Sequence, residues 1–399
     1  MKKTLLVTAI AGALAASAGA ASAATVYNQD GTKLDLYGNI QLAYKSIETA
    51  QFEDVPGVGN DIYQGTEAED EIFDNGSTIG VTGEHVIMNG LTGYFKAEWE
   101  FDADQAKGAP GGINTGDQAY LGLKGNFGDA RLGSWDPLID DWIQDPISNN
   151  EYFDVSDSNG RILGVENREG DKLQYMSPSL GGLQFAVGTQ YKGDAEFDGD
   201  DTVTGTNSLG DEITVTGEDS SNASFFGGLK YEVGNFSIAA VYDNLDNNDG
   251  SYSAVDSDGN DIGSGDFEAG EQYGITGQYT WDTLRVALKA ERFKSDNDTL
   301  ADTNYYALGA RYGYGNGMGD LYGSYQYVDV GGGDFLDTAD DALTSGDWPS
   351  EREDESYNEI ILGATYNISD AMYTFVEGAL YDRTDDEGDG VAVGAVYLF

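Results

Sequence analysis

The side chains best suited to covalent chemistry are nearly absent from this chain. There is no cysteine, which removes a thiol nucleophile, a zinc–thiolate site and any disulfide. The single histidine, His85 in GEHVIMNG, lacks a neighbouring pattern for general-base work and reads as a turn or interface residue. An enzyme is not expected. Carboxylate, by contrast, is abundant. Asp and Glu number 71 against 20 Lys and Arg, for a formal charge of −51. Closely spaced carboxylates suit hard cations, and FDGDD (197–201) and DSDGNDIG (256–263) have that density. Neither keeps the ligand spacing of a calcium loop. The expectation is no cofactor and no dedicated metal, only loose divalent cation binding. The charge also opposes nucleic acid as a partner.

The acids cluster. Residues 46–76, 193–221, 244–270 and 329–356 hold about half of them and a single basic residue, Arg352. Segments this acidic repel one another, cannot collapse into a core and belong in water. They read as a solvated rim suited to high salt, or as a funnel that concentrates cations.

The segments between them alternate apolar and polar side chains. KLDLYGNIQLAYK (33–45) sets Leu34, Leu36, Ile40, Leu42 and Tyr44 against Asp35, Asn39, Gln41 and Lys45. LRVALKAERF (284–293) sets Leu284, Val286, Leu288 and Ala290 against Arg285, Lys289 and Glu291. A period of two is a strand with one apolar face. About sixteen such segments start near residues 33, 77, 91, 116, 129, 171, 182, 222, 235, 271, 283, 303, 319, 356, 371 and 390. Short turns and long polar connections alternate between them, the pattern of an up-and-down antiparallel meander. No run of 18 apolar residues suggests a membrane helix. Apolar faces with aromatic residues near their ends, and polar faces on the other side, fit an all-β membrane-spanning barrel with a wet interior. Met1-Lys2-Lys3, the apolar run from Leu5 to Ala16 and Ala21-Ser22-Ala23 read as a cleaved signal peptide over 1–23. Residues 24–399 then form one barrel domain.

Three stretches, with the terminal YLF, carry a resemblance: VYNQDGTKLDLYGNIQLAY (26–44), AYLGLKGNFGDARLGSWD (119–136) and DKLQYMSPSLGGLQFAVGTQY (171–191). Together they resemble the Gram-negative general diffusion porins, which are trimeric sixteen-stranded outer-membrane barrels. The resemblance implies short periplasmic turns, long extracellular loops, a homotrimer, contact with outer-membrane lipid and lipopolysaccharide, and passage of small hydrophilic solutes and ions. It implies that Tyr397 and Phe399 belong to a signal read by the outer-membrane assembly machinery. It also implies that residues 136–165 fold into the pore as a constriction loop, with Asp140, Asp141, Asp145, Glu151 and Asp154 facing the passage. Leu138, Ile139, Trp142, Ile143, Ile147 and Phe153 would pack on the inner wall. The family's basic wall would be drawn from Arg131, Arg168, Lys172, Arg161, Lys96, Arg285, Lys289 and Arg311. One departure stands out: Asn39, Thr78 and Asp117 occupy positions where enterobacterial members carry basic residues. That predicts a more negative lumen and a preference for cations. The alternative is a substrate-specific channel for a sugar or another small solute. It would need an inward aromatic track, for which Tyr37, Tyr305 and Tyr322 look scattered.

Overall fold

The computed structural model describes residues 23–55, 59–105, 113–148, 150–161, 170–191, 202–206, 212–217, 223–255, 261–296, 302–331 and 356–399. The 1–23 segment, Arg168, FDGDD and most of DSDGNDIG therefore lie outside the described residues or nearly so, as does the side chain of Arg161.

Alternation becomes strand almost throughout. In chain order the strands are β1 Ala24–Gln29, β2 Thr32–Val55, β3 Gly59–Asp74, β4 Thr78–Met88, β5 Leu91–Phe101, β6 Ile113–Gly125, β7 Gly128–Ser134, β8 Lys172–Met176, β9 Leu183–Tyr191, β10 Thr202–Thr206 and β11 Glu212–Gly217. They continue as β12 Ala223–Val233, β13 Phe236–Asn244, β14 Gly250–Val255, β15 Asp261–Phe267, β16 Glu271–Trp281, β17 Leu284–Lys294, β18 Asp302–Tyr314, β19 Gly319–Gly331, β20 Tyr357–Ser369, β21 Met372–Tyr381 and β22 Gly390–Leu398. Sixteen of them form a closed antiparallel barrel. Each wall strand pairs with the next along the chain, and β2 pairs with β22 from Asn39↔Leu398 to Ile47↔Gly390. The seam ends with Gly38 and Phe399 exchanging two backbone hydrogen bonds, each 3.0 Å. Closure leaves no open edge in the wall, which a hydrocarbon surrounding requires.

The acidic segments are more regular than their composition suggests. By composition residues 46–76 are a long polar connection. Instead β2 runs on past the wall and pairs with β3, from Leu42↔Asp74 to Val55↔Gly59. Strands β10, β11, β14 and β15 come from the two acidic connections after β9 and β13 and make a separate four-stranded sheet. On β3 the pairing leaves Glu67, Glu69, Asp70 and Glu71 exposed, so an acidic ladder forms without burying these carboxylates. TVTGT and EITVTG also supply β-branched residues to the ladder.

The faces are inverted relative to a water-soluble sheet. On β17, Leu288 is 61 % exposed, whereas its neighbours Ala287 and Lys289 are 1 % and 4 % exposed. Trp281, Tyr312, Tyr366 and Tyr397 ring the turn end on the outside, and Tyr191, Tyr242, Tyr273 and Tyr306 ring the loop end. Two aromatic girdles around an apolar band mark the membrane interfaces. Leu288 lies mid-strand in that band. Leu288→Arg is expected to cost ~2–4 kcal/mol of folding free energy in lipid vesicles, measured by denaturant titration. A loss no larger than that of Leu288→Ala would be incompatible with lipid on this face.

Candidate functional site: the inserted loop and the lumen wall

After β7 the chain turns into the barrel. Trp135 is buried at the entry, with the Arg131 guanidinium 4.2 Å from its ring centroid and 5.3 Å from that of Tyr120. Lys172 donates from Nζ to the Trp135 carbonyl oxygen. Beyond it two short helical turns, Asp140–Gln144 and Asp145–Ser148, run along the inner wall. Leu138, Ile139, Trp142 and Ile143 pack on Ala186, Phe226, Ala239 and Val241. Ile147, Phe153 and Val155 pack on a second patch that includes Ala287, Ala307 and Ile361. Small wall residues make room for the loop. A Cβ on Gly309 would stand 2.5 Å from the Ile147 carbonyl oxygen. The loop backbone is also hydrogen-bonded to the wall: Thr276 Oγ1 donates to Ile143 O at 2.7 Å, and Ser324 Oγ donates to Ile147 O at 2.9 Å.

Three wall carboxylates catch the returning half of the loop. Glu377 on β21 accepts from the Tyr152 and Glu151 amides at 2.8 and 3.2 Å. Glu359 on β20 accepts from the Ser156 amide at 2.8 Å and pairs with Arg383 at 2.8 Å. Glu291 on β17 accepts from the Ser158 amide and from Gln144 Nε2, each at 2.8 Å, and pairs with Lys289 at 2.8 Å. Charge-assisted bonds of this length are the strong ones. They fix the loop across strands that are remote from it in sequence.

The carboxylates of the loop divide into two groups. Asp140 accepts from Asn159 Nδ2 at 2.5 Å, and Glu151 accepts from Tyr373 OH at 2.9 Å, so both also hold structure. Asp154 is exposed, and Asp141 and Asp145 are half-buried. Enclosure, then the nearby Asp136 carboxylate, raises Asp141 to about 6. Enclosure, then Asp141, raises Asp145 to about 7.

The basic residues are dispersed. Arg131 and Lys172 are engaged with Trp135, and Lys289 lies beneath the loop with Glu291. Lys96 pairs with Glu98 at 3.0 Å and donates to Gln118 Oε1 at 3.0 Å. Arg311 stacks on Tyr322 with the guanidinium 4.5 Å from the ring centroid. Arg285 and Arg311 sit directly opposite each other on β17 and β18. Asn39 donates from Nδ2 to Thr78 Oγ1 at 2.8 Å. Nearby, Glu98 and Glu100 share the face of Lys96 on β5, and Asp117 reaches Glu98 from β6. Sequence reading missed the anchors Glu359, Glu377 and Arg383. The only signal for the two glutamates was inward parity on β20 and β21, and Arg383 follows β21 outside the alternation.

A sixteen-stranded closed barrel with one loop folded against its inner wall has clear relatives. A family description, Gram-negative porin, matches residues 8–386. The chain belongs to that family. The porin is 56 % identical over 408 residues to a Halomonas sp. protein named monosaccharide porin, with all of both chains covered. It has the same identity and coverage to the major outer membrane protein of Halomonas elongata. Among solved structures, Salmonella typhi OmpF in complex with daunomycin matches with a TM-score of 0.62 at 20 % identity, covering 94 % of this chain and 100 % of that one. At that identity the likeness concerns the fold. The porin lies in the Gram-negative outer membrane.

Proposed function

We propose that the porin forms a water-filled channel for passive diffusion of small hydrophilic solutes, monosaccharides among them, with a preference for cations. We further propose that residues 1–23 are removed on export and that the mature chain assembles as a homotrimer through the outer-membrane assembly machinery. The observation that carries the cation preference is carboxylate on both sides of the lumen. Asp141, Asp145 and Asp154 belong to the loop, and Glu98, Glu100 and Asp117 belong to the β5–β6 wall with Lys96 alone among them. Carboxylates in a narrow wet passage concentrate cations and repel anions. In this reading Arg131, Lys172 and Lys289 hold the loop more than they face the solute, and Arg311 is engaged with Tyr322, Asp320 and Glu151 of the loop. The monosaccharide component is supported by the name of the relative at 56 % identity.

The test is the reversal potential of single channels in a planar bilayer under a KCl gradient. At pH 8 the raised loop carboxyls are ionised, and the potential is expected to have the sign of cation preference. As pH falls through 7 and 6 they take up protons, so the preference shrinks before ordinary carboxylates, near 4, titrate. Enclosure raises Asp154 to about 7 as well, so the Asp141→Asn/Asp145→Asn variant is expected to keep a smaller step and the Asp141→Asn/Asp145→Asn/Asp154→Asn variant to lose most of it. Anion preference at pH 8 would overturn the reading. A sugar flux that saturates and is competed by related sugars would instead assign a specific monosaccharide channel.

A further inference from the structure

We propose that Tyr37, Glu98 and Asp117 form a binding step for primary ammonium groups on the lumen wall, and that amine-bearing solutes are the class this channel retains. The proposal deepens the channel reading and rests on it.

A β-bulge builds the step. Ala97 on β5 pairs with Ala119 on β6, and Trp99 pairs with Gly116, so Asp117 and Gln118 together stand opposite Glu98. Paired residues share a face, and Trp99 and Leu121 are exposed on the outside. Unbroken alternation from Leu121 would turn Asp117 to lipid. The extra residue of the bulge brings both Asp117 and Gln118 to the lumen. There the Asp117 carboxyl lies within hydrogen-bonding reach of Glu98. Tyr37 arrives from the other side. It pairs with Gly80 on β4, and Gly80 pairs with Glu98. A Cβ on Gly80 would overlap the hydroxyl end of Tyr37, so the ring crosses this glycine toward Glu98. Tyr37 is 7 % exposed, and its buried hydroxyl is aimed at Glu98 without closing a hydrogen bond of ordinary geometry.

The charges leave a cation to be supplied from solution. Lys96 lies 3.0 Å from Glu98 and donates to Gln118 at 3.0 Å, and Gln118 in turn donates to Asp136 at 2.7 Å. That one ammonium faces two carboxyls, Glu98 and Asp117, and Asp136 and Glu100 add negative charge at Asp117. Two ionised carboxyls at hydrogen-bonding range repel unless a proton or a cation lies between them. Three acceptors converge there: the two carboxyls and the Tyr37 hydroxyl. A primary ammonium carries three N–H donors and matches them. A divalent metal ion takes about six oxygen ligands, and among the described residues no three carboxylates are grouped to hold one. A quaternary ammonium brings the charge without the donors.

The test uses the full-length porin in planar bilayers carrying potassium current. The probe is n-propylammonium, and n-propyltrimethylammonium is the equally charged analogue without N–H donors. Propylammonium is expected to reduce the current along a saturating curve. Its half-blocking concentration is expected ~10-fold below that of the quaternary analogue, the scale of one charge-assisted contact. Glu98→Gln/Asp117→Asn is expected to erase that difference. Tyr37→Phe removes only the hydroxyl and is expected to raise the propylammonium value ~3-fold, the scale of one neutral hydrogen bond. It serves as the test if the double variant does not fold. Equal action of the two amines on the native channel overturns the proposal. So does a difference that neither variant alters, or one lost instead in Asp141→Asn/Asp145→Asn. In each of these cases the conductance and the sign of its cation preference stand. Loss of conductance or anion preference in the native protein would overturn the channel reading instead.

Discussion

Glu291→Leu is expected to release the inserted loop, destabilise the barrel by ~3–5 kcal/mol and give larger, noisier conductance steps. The Glu291 and Lys289 side chains are fully withdrawn from solvent and lie 2.8 Å apart. The same carboxylate receives the Ser158 amide and Gln144 Nε2, so it joins both limbs of the loop to β17. Leucine removes all of these contacts and leaves an ammonium without its counter-ion under the loop. The least costly response is for the loop to lift so that water reaches Lys289. Removing both charges is a different case. Glu291→Leu/Lys289→Met leaves no buried charge, and apolar replacement of a buried pair is often close to neutral. The double variant is therefore expected to recover most of the stability but not the Ser158 and Gln144 contacts. Denaturant titration in vesicles gives the first quantity and single-channel recording the second. A Glu291→Leu channel with native step size and native stability would show that the loop is held by its apolar contacts alone.

Gly38→Val is expected to prevent normal closure of the barrel, whereas Gly277→Val is tolerated. At Gly38 a Cβ would stand 2.5 Å from Phe399 Cζ and 2.5 Å from the Thr78 carbonyl oxygen. The second neighbour is wall backbone and has little freedom to move. Gly38 also exchanges two hydrogen bonds with Phe399, so any shift there opens the seam where the first and last wall strands meet. Overpacking in a well-fitted place costs ~1–3 kcal/mol, and here the cost falls on the step that removes the last open edge. Gly277, on β16, has nothing within 4 Å of its added Cβ, and valine suits a strand. The folded fraction after refolding into vesicles, read from heat-resistant electrophoretic mobility, separates the two. Equal yields for both variants would show that the Phe399 seam does not limit closure.

The wall was legible because its information is local. All sixteen wall strands begin within a few residues of where alternation starts, and the outward faces of β2 and β17 are the apolar sets read from the sequence. The apolar residues of 136–161 likewise declared themselves as wall-packing. The extra strands in the acidic connections were not legible. Charge density masked short β-branched runs that pair only once the barrel brings their ends together.

The site was legible only in part, for a reason of distance along the chain. Period two tells which side of a strand a lysine or glutamate occupies, and nothing about what lies across the lumen. Lys289 and Arg285 share a strand and a face. One is spent beneath the loop on Glu291, and the other is left beside Arg311. Glu377 meets the loop across 225 positions, and Glu359 across 203. The sequence by itself therefore determined the number of wall strands, their order and the face each turns to lipid, because strand geometry is set by adjacent residues. Only the closed barrel decided which charges neutralise one another and which face the water, because that depends on strands and a loop made neighbours by closure.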